Sequence, residues 1–179
     1  HLARRGVRPV LWDDMMRSWP RAALAALGRR ADLMAWSYAA APVSAGRTGF
    51  LREEHFTRYR RAGVTTWGAS AYKGGDGPFR DLPDPAARSA NNAAWARLAR
   101  RHRLAGVVAT AWSRYNTFMS PCETIEAALD MLVVAAAAMW DGRLPRDPAA
   151  AARAALARAR PADHRRHAAC REAAGRLGG

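Results

Sequence analysis

Val7-Arg8-Pro9-Val10-Leu11-Trp12, followed at once by Asp13-Asp14, is a short apolar run that ends in an indole and gives way to polar residues. The same arrangement recurs three times. Residues 33–36 end in Trp36 and pass into Ser37-Tyr38; residues 64–67 end in Trp67 and pass into Gly68-Ala69-Ser70; residues 107–112 end in Trp112 and pass into Ser113-Arg114-Tyr115. Each run has the length and composition of a strand, and segments with helical patterning lie between them. Strands that alternate with helices pair in parallel, because each crossover returns the chain to the same end of the sheet. The expected fold class is therefore α/β. In such sheets the functional loops follow the carboxyl ends of the strands, so Trp12, Trp36, Trp67 and Trp112 are expected to share one rim.

Working outward, residues 1–5 read as the last turn of a helix closed by Gly6, and 7–12 as the first strand. Residues 15–29 read as helix, with Pro20 moving its start to near Ser18-Trp19. A strand is expected at 32–36, a loop at 39–49 and a helix at 50–62 closed by Gly63. A strand at 64–67 precedes a long Gly/Asp/Pro-rich loop, 68–85. Asp84-Pro85 then starts a helix to about Arg103, with Asp at the N-cap and Pro in the first turn. After a strand at 106–112, Ser120-Pro121-Cys122-Glu123 forms a capping box for a helix to Trp140, ended by Gly142. Pro145 and Pro148 mark a linker, and 149–175 is an Ala/Arg-rich helical tail broken near Pro161. The strands are apolar on both sides, the pattern expected when helices cover the sheet.

The chain has 179 residues, 50% of them hydrophobic, which suits one packed domain and excludes a disordered polymer. The net charge is +14, but Lys73 is the single lysine among the basic residues, and the arginines are scattered. No basic stripe interleaved with aromatics occurs, so no specific nucleic-acid partner is expected. The longest uncharged apolar run, 131–140, is half the roughly 20 residues needed to cross a bilayer, so no membrane role is expected. His1-Leu2-Ala3-Arg4-Arg5 leads into no apolar targeting segment, which points to a cytoplasmic location. There is no initiator methionine, and the chain reads as beginning partway through a gene product. Cys122 and Cys170 have no metal-ligand spacing and read as free thiols. His55, His102, His164 and His167 fall on Arg-rich helical segments and are expected to face solvent. No metal site and no cofactor is expected. Gly74-Gly75-Asp76-Gly77 opens no helix and matches no phosphate-binding loop.

Three segments carry a family likeness: Leu11-Trp12-Asp13-Asp14-Met15, Trp67-Gly68-Ala69-Ser70-Ala71-Tyr72-Lys73-Gly74, and Thr110-Ala111-Trp112-Ser113-Arg114-Tyr115. In this order and spacing they resemble the β-N-acetylhexosaminidases of glycoside hydrolase family 20, specifically the hexosaminidase D-like subgroup. The resemblance implies a (β/α)8 barrel of which residues 1–142 form the C-terminal half, about strands five to eight, with 143–179 as linker and tail. It also implies a retaining reaction in which the substrate's own acetamido oxygen attacks the anomeric carbon. An enzyme Asp orients that group, and the adjacent Glu protonates the leaving oxygen. No Asp-Glu dipeptide occurs in this sequence, so no catalytic residue is assigned to it.

The candidate substrate-binding residues are Trp12, Asp13, Asp14, Trp36, Tyr38, Trp67, Tyr72, Lys73, Trp112, Arg114 and Tyr115. Indoles and tyrosines would stack on the sugar, while Asp13 or Asp14 would bond hydroxyls, only one of them turning inward easily. Arg114 departs from the family, many members of which carry Glu at that position. The expected partners are an N-acetylhexosamine-containing glycan, the missing N-terminal half of the barrel and, through unpaired sheet edges, a second copy of the chain. The alternative reading is a non-catalytic sugar-binding barrel module; a doubly wound open sheet is the alternative fold.

Overall fold

The computed structural model describes residues 2–44, 50–74, 82–112 and 125–177. Four strands, β1 (Val10–Trp12), β2 (Asp32–Trp36), β3 (Thr66–Lys73) and β4 (Val107–Ala111), form one parallel sheet in the spatial order β1-β2-β3-β4. Between and after them come α1 (Arg21–Gly28), α2 (Glu53–Arg61), α3 (Pro85–His102), α4 (Leu129–Asp141), α5 (Pro148–Ala159) and α6 (Pro161–Leu177).

The strand order never reverses, so among the described residues the sheet is wound in one direction and is not doubly wound. Right-handed crossovers that always add the next strand at the same edge leave every helix on the same face. The packing agrees. Leu24 of α1 and Tyr59 of α2 lie with Leu33; Phe56 of α2 with Trp95 and Leu98 of α3 lie with Ala35; Met131 and Val134 of α4 lie with Tyr72 and Ala109. Successive strand residues point to opposite faces, so Val10, Trp12 and Val108 lie on the other face, where each is about two-fifths exposed, at 43%, 44% and 42%. The expectation that helices cover the sheet holds for one face: among the described residues no helix packs on the other, although Ala69 and Ala71 on it are buried.

Several boundaries fall where local chemistry put them. Asp84 accepts from the amides of Ala86 and Ala87 at 2.9 and 3.1 Å, with Pro85 in the first turn of α3. Gly142 adopts φ +67 past the end of α4. The capping box at Ser120 lies outside the described residues. The third strand is the main departure. It occupies residues 66–73, not 64–67, and so takes in Gly68-Ala69-Ser70-Ala71, which sequence reading gave to a loop. A Cβ on Gly68 would stand 2.7 Å from the Trp95 ring, so small residues here let α3 lie close on the sheet.

The tail is packed. Ala149 and Ala152 of α5 join the α4 core. Asp130 of α4 is fully buried and gathers Arg153 Nη1 at 3.3 Å, His167 Nε2 at 3.2 Å and Arg171 Nη1 at 4.0 Å. The expectation that the helical histidines face solvent fails for two of them, since His55 and His167 are buried. His55 sits at the start of α2, where its Nδ1 accepts from the amide of Arg52 at 3.1 Å. No helix among the described residues is long and apolar enough to cross a membrane.

Candidate functional site

At the carboxyl ends of the strands, Trp12 ends β1, Trp36 ends β2, Lys73 ends β3 and Trp112 directly follows β4. Their rings form a chain with Tyr38: Trp36 to Tyr38 is 5.2 Å between centroids, Tyr38 to Trp112 5.9 Å, and Trp112 to Trp12 6.4 Å, all tilted. These spacings are those of aromatic contact, so sequence reading correctly brought Trp12, Trp36, Tyr38 and Trp112 together.

Polar groups decorate this chain. The Trp36 indole N–H donates to the exposed Asp14 carboxylate at 3.2 Å. The Trp112 indole N–H donates to Thr110 Oγ1 at 3.1 Å. Burial pushes the Tyr38 hydroxyl pKa up from its ordinary value, with the Thr110 and Trp112 side chains opposing. Lys73 is fully buried, with Nζ 3.2 Å from the Trp112 carbonyl oxygen. The site thus offers aromatic faces, an exposed carboxylate and hydroxyls, which together suit a polyhydroxylated ring with one apolar face, while the buried Lys73 ammonium lies behind the Trp112 strand end.

The two aspartates separate cleanly. Asp13 has no exposed surface, holds Arg17 through both oxygens at 2.8 and 3.1 Å, and accepts the Tyr59 hydroxyl at 3.0 Å. Burial, followed by the Asp13 charge and hydrogen bond, drives the Tyr59 pKa far above its ordinary value. Asp13 therefore holds the fold, and its assignment as a sugar ligand is corrected. Asp14 is the one left at the rim.

Two further assignments change because β3 is longer than expected. Trp67 is the second residue of β3 and not its last. Its indole N–H reaches Asp32 at the start of β2 at 3.0 Å, and its ring sits against Gly106, ahead of β4. Trp67 thus lies toward the amino ends of the strands, away from the rim. Tyr72 packs into the core with Ala128, Met131 and Ala135, and burial raises its pKa. Arg114 and Tyr115 lie outside the described residues.

Sequence reading missed the residues that hold the rim in place. Helix α3 presents Arg88, Asn91, Asn92 and Trp95 along one face, at helical spacing. Arg88 Nη2 donates to the Tyr38 carbonyl at 2.6 Å; Asn91 Nδ2 donates to the carbonyls of Ser37 at 3.0 Å and Ala39 at 2.6 Å; the Trp95 indole donates to Ser37 at 2.9 Å. The register of β3 on β4 shifts between Ala71 and Lys73. A bulge leaves backbone groups without ladder partners. Here Asn91 Oδ1 accepts the Ala71 amide at 3.1 Å, and Asn92 Nδ2 donates to the Ala71 carbonyl at 3.0 Å. Beyond the bulge, Gly74 at φ +71 abuts Trp112, whose Cβ a side chain there would meet at 2.7 Å. The adjacent pair Asn91-Asn92 inside a helix was the available signal, since such residues disfavour helix interiors without partners. Among the described residues, no group of three or more His, Cys, Asp and Glu gathers to hold a metal ion.

No family model matches the chain. It is similar to Hexosaminidase D of Homo sapiens, at 32% identity over 135 residues that make up 72% of this chain and 27% of the relative. It is also similar to Hexosaminidase D of Bos taurus, at 28% identity over 140 residues, 75% of this chain and 39% of the relative. The chain thus spans well under half the length of either. The resemblance drawn from the three motifs is borne out by these relatives.

Proposed function

We propose that this relative of the hexosaminidase D proteins is the C-terminal half of a glycosidase barrel and supplies one wall of an N-acetylhexosamine pocket. The observation that carries the reading is the aromatic chain Trp12–Trp112–Tyr38–Trp36 at the carboxyl ends of four parallel strands. A singly wound sheet with helices on one face and an apolar second face is the form that half of a (β/α)8 barrel takes. A whole barrel needs about 250 residues, so the second half comes from another polypeptide segment.

In this reading Trp12, Trp36 and Trp112 stack on the pyranose, Asp14 and Tyr38 bond its hydroxyls or amide, and Lys73 backs the Trp112 strand end. Residues 143–179 buttress the helical side. The whole protein removes terminal N-acetylhexosamine with retention through the substrate's acetamido group, in the cytoplasm. The acid pair belongs to the other half. Glu53, Glu54 and Glu172 lie on helices and Glu126 on a turn ahead of α4, none at a strand end. The chain alone then binds sugar without cleaving it.

Calorimetry with N-acetylglucosamine and its thiazoline analogue tests binding, and release of p-nitrophenol from a p-nitrophenyl N-acetylhexosaminide tests turnover. Binding without turnover is expected. Absence of binding to the thiazoline removes the pocket, and turnover by this chain removes the division of labour between the halves. If a longer chain carrying the other half also binds without turnover, the protein is a non-catalytic sugar-binding module.

A further inference from the structure

We propose that Arg17 is a positioning residue for Trp36, holding the indole in the plane that a sugar stacks on; the inference rests on the sugar-pocket reading. Neither the motif nor the strand pattern singles out Arg17. It follows the short helical turn Asp14–Met16 and its side chain is about nine-tenths buried.

One guanidinium makes three kinds of contact there. It grips both carboxylate oxygens of Asp13, Nε to Oδ2 at 3.1 Å and Nη2 to Oδ1 at 2.8 Å. Its Nη2 also donates to the Trp36 carbonyl oxygen at 3.1 Å. Its central carbon lies 5.6 Å from the centroid of the Trp36 ring, within the range of a cation over an aromatic face. The anchor beneath is firm: Asp13 has no exposed surface, accepts the Tyr59 hydroxyl, and ties its own amide to the Met34 carbonyl of β2 at 3.0 Å. Arg58 of α2 donates to the carbonyl of Arg17 itself.

The consequence for Trp36 follows from geometry. An indole at the end of a strand can swing about two side-chain torsions. Arg17 closes one of its faces, and Asp14 fixes its N–H edge at 3.2 Å. The remaining face is the one offered to a ligand, next to Tyr38 at 5.2 Å. Because Asp13 neutralises it, Arg17 holds the ring without presenting a bare charge to the sugar. Aspartate, arginine and indole thus form a relay from the buried core to the rim, with Asp13 as anchor and Trp36 as the contact.

A lysine separates this role from simple neutralisation of Asp13. Arg17→Lys keeps a cation beside Asp13 but lacks the planar fork needed to bond Asp13 and the Trp36 carbonyl together while lying on the ring. In 15N-labelled protein the indole N–H resonance of Trp36 is assigned by its loss in Trp36→Phe. Arg17→Lys is expected to shift and broaden that resonance and leave those of Trp67 and Trp95 in place. It is expected to weaken binding of N-acetylglucosamine thiazoline about tenfold, with no further loss when added to Trp36→Phe. An unmoved Trp36 resonance, or the same loss with phenylalanine at position 36, overturns the proposal. If Arg17→Lys does not fold, Asp13→Asn with Arg17→Met removes the buried pair as a unit and is read the same way. If the unsubstituted chain binds no thiazoline, the pocket reading fails by itself and the Trp36 resonance alone decides the role of Arg17.

Discussion

Trp12 and Trp112 stand at the two opposite edges of a four-stranded sheet, yet their ring centroids are 6.4 Å apart. Three strand spacings of about 4.8 Å put the edge backbones about 14 Å apart in a flat sheet. Each indole leans inward from its own edge, and two such side chains close the gap above the strands between them. The contact also predicts coupling between residues 100 positions apart in sequence. Trp12→Ala and Trp112→Ala should each cost about 1 kcal/mol, and the double variant should cost less than their sum by about 0.5 to 1 kcal/mol. Urea unfolding of the four species measures this, and strict additivity would mean that the two edges do not meet.

Asp13 and Asp14 are adjacent, and their substitutions should act on different properties. Asp13→Ala leaves the buried Arg17 guanidinium without its carboxylate, a change that costs about 3 to 5 kcal/mol. Asp14 is exposed and among the described residues bonds the edge of Trp36, so Asp14→Asn should move stability by no more than about 0.5 kcal/mol while weakening sugar binding. Denaturant unfolding beside calorimetry resolves the two. Equal stability losses would place both carboxylates in the same environment.

Gly68 and Gly74 should resist substitution for different reasons. A Cβ at Gly68 meets the Trp95 ring at 2.7 Å, and overpacking of this kind costs about 1 to 3 kcal/mol. Gly74 combines φ +71 with a 2.7 Å approach to Trp112, so Gly74→Ala carries backbone strain as well and should disturb the rim directly. Thermal melts should fall for both variants. Near-ultraviolet dichroism of the aromatic chain should change more for Gly74→Ala, and the reverse order would displace Gly74 from its place beside Trp112.

These glycines also explain what the sequence could and could not show. The apolar runs ending in Trp12, Trp36 and Trp112 carried the fold class and most of the rim, because exposed strand ends leave a local signature: hydrophobic residues, then an indole, then polar residues. Strand β3 left a different one. Gly68 and Ser70 at its centre are small because α3 lies on them, Trp95 taking the space of a side chain at Gly68 and Asn92 bonding Ser70. A strand selected for closeness to a helix therefore reads as a loop, and Trp67 reads as its end. The supports of the rim were hidden for another reason. Asn91 and Asn92 act on a bulge and a loop that exist only once β3 and β2 are paired, and Arg17 acts on an indole 19 residues away. Contacts of that range have no periodicity to betray them.

His55 and His167 predict how stability depends on pH. Burial lowers the pKa of both. For His55 the charge of Arg17 and, to a lesser degree, those of Arg52 and Arg58 add to this while Asp13 opposes it; for His167 Asp130 opposes, and Arg171 and Arg153 assist. The folded chain holds both rings neutral, which His55 needs in order for Nδ1 to accept from the Arg52 amide. An unfolded histidine takes up its proton near pH 6.5, before the folded one does. The stabilising contribution is therefore fully present above about pH 6.5 and is lost as pH falls below it, since there the unfolded state binds more protons. Urea midpoints measured from pH 7.5 down to 5 should fall. In His55→Gln/His167→Gln the slope over this window should flatten, whatever the substitutions do to stability at neutral pH. A slope that the double substitution leaves unchanged would assign the acid sensitivity to the carboxylates instead.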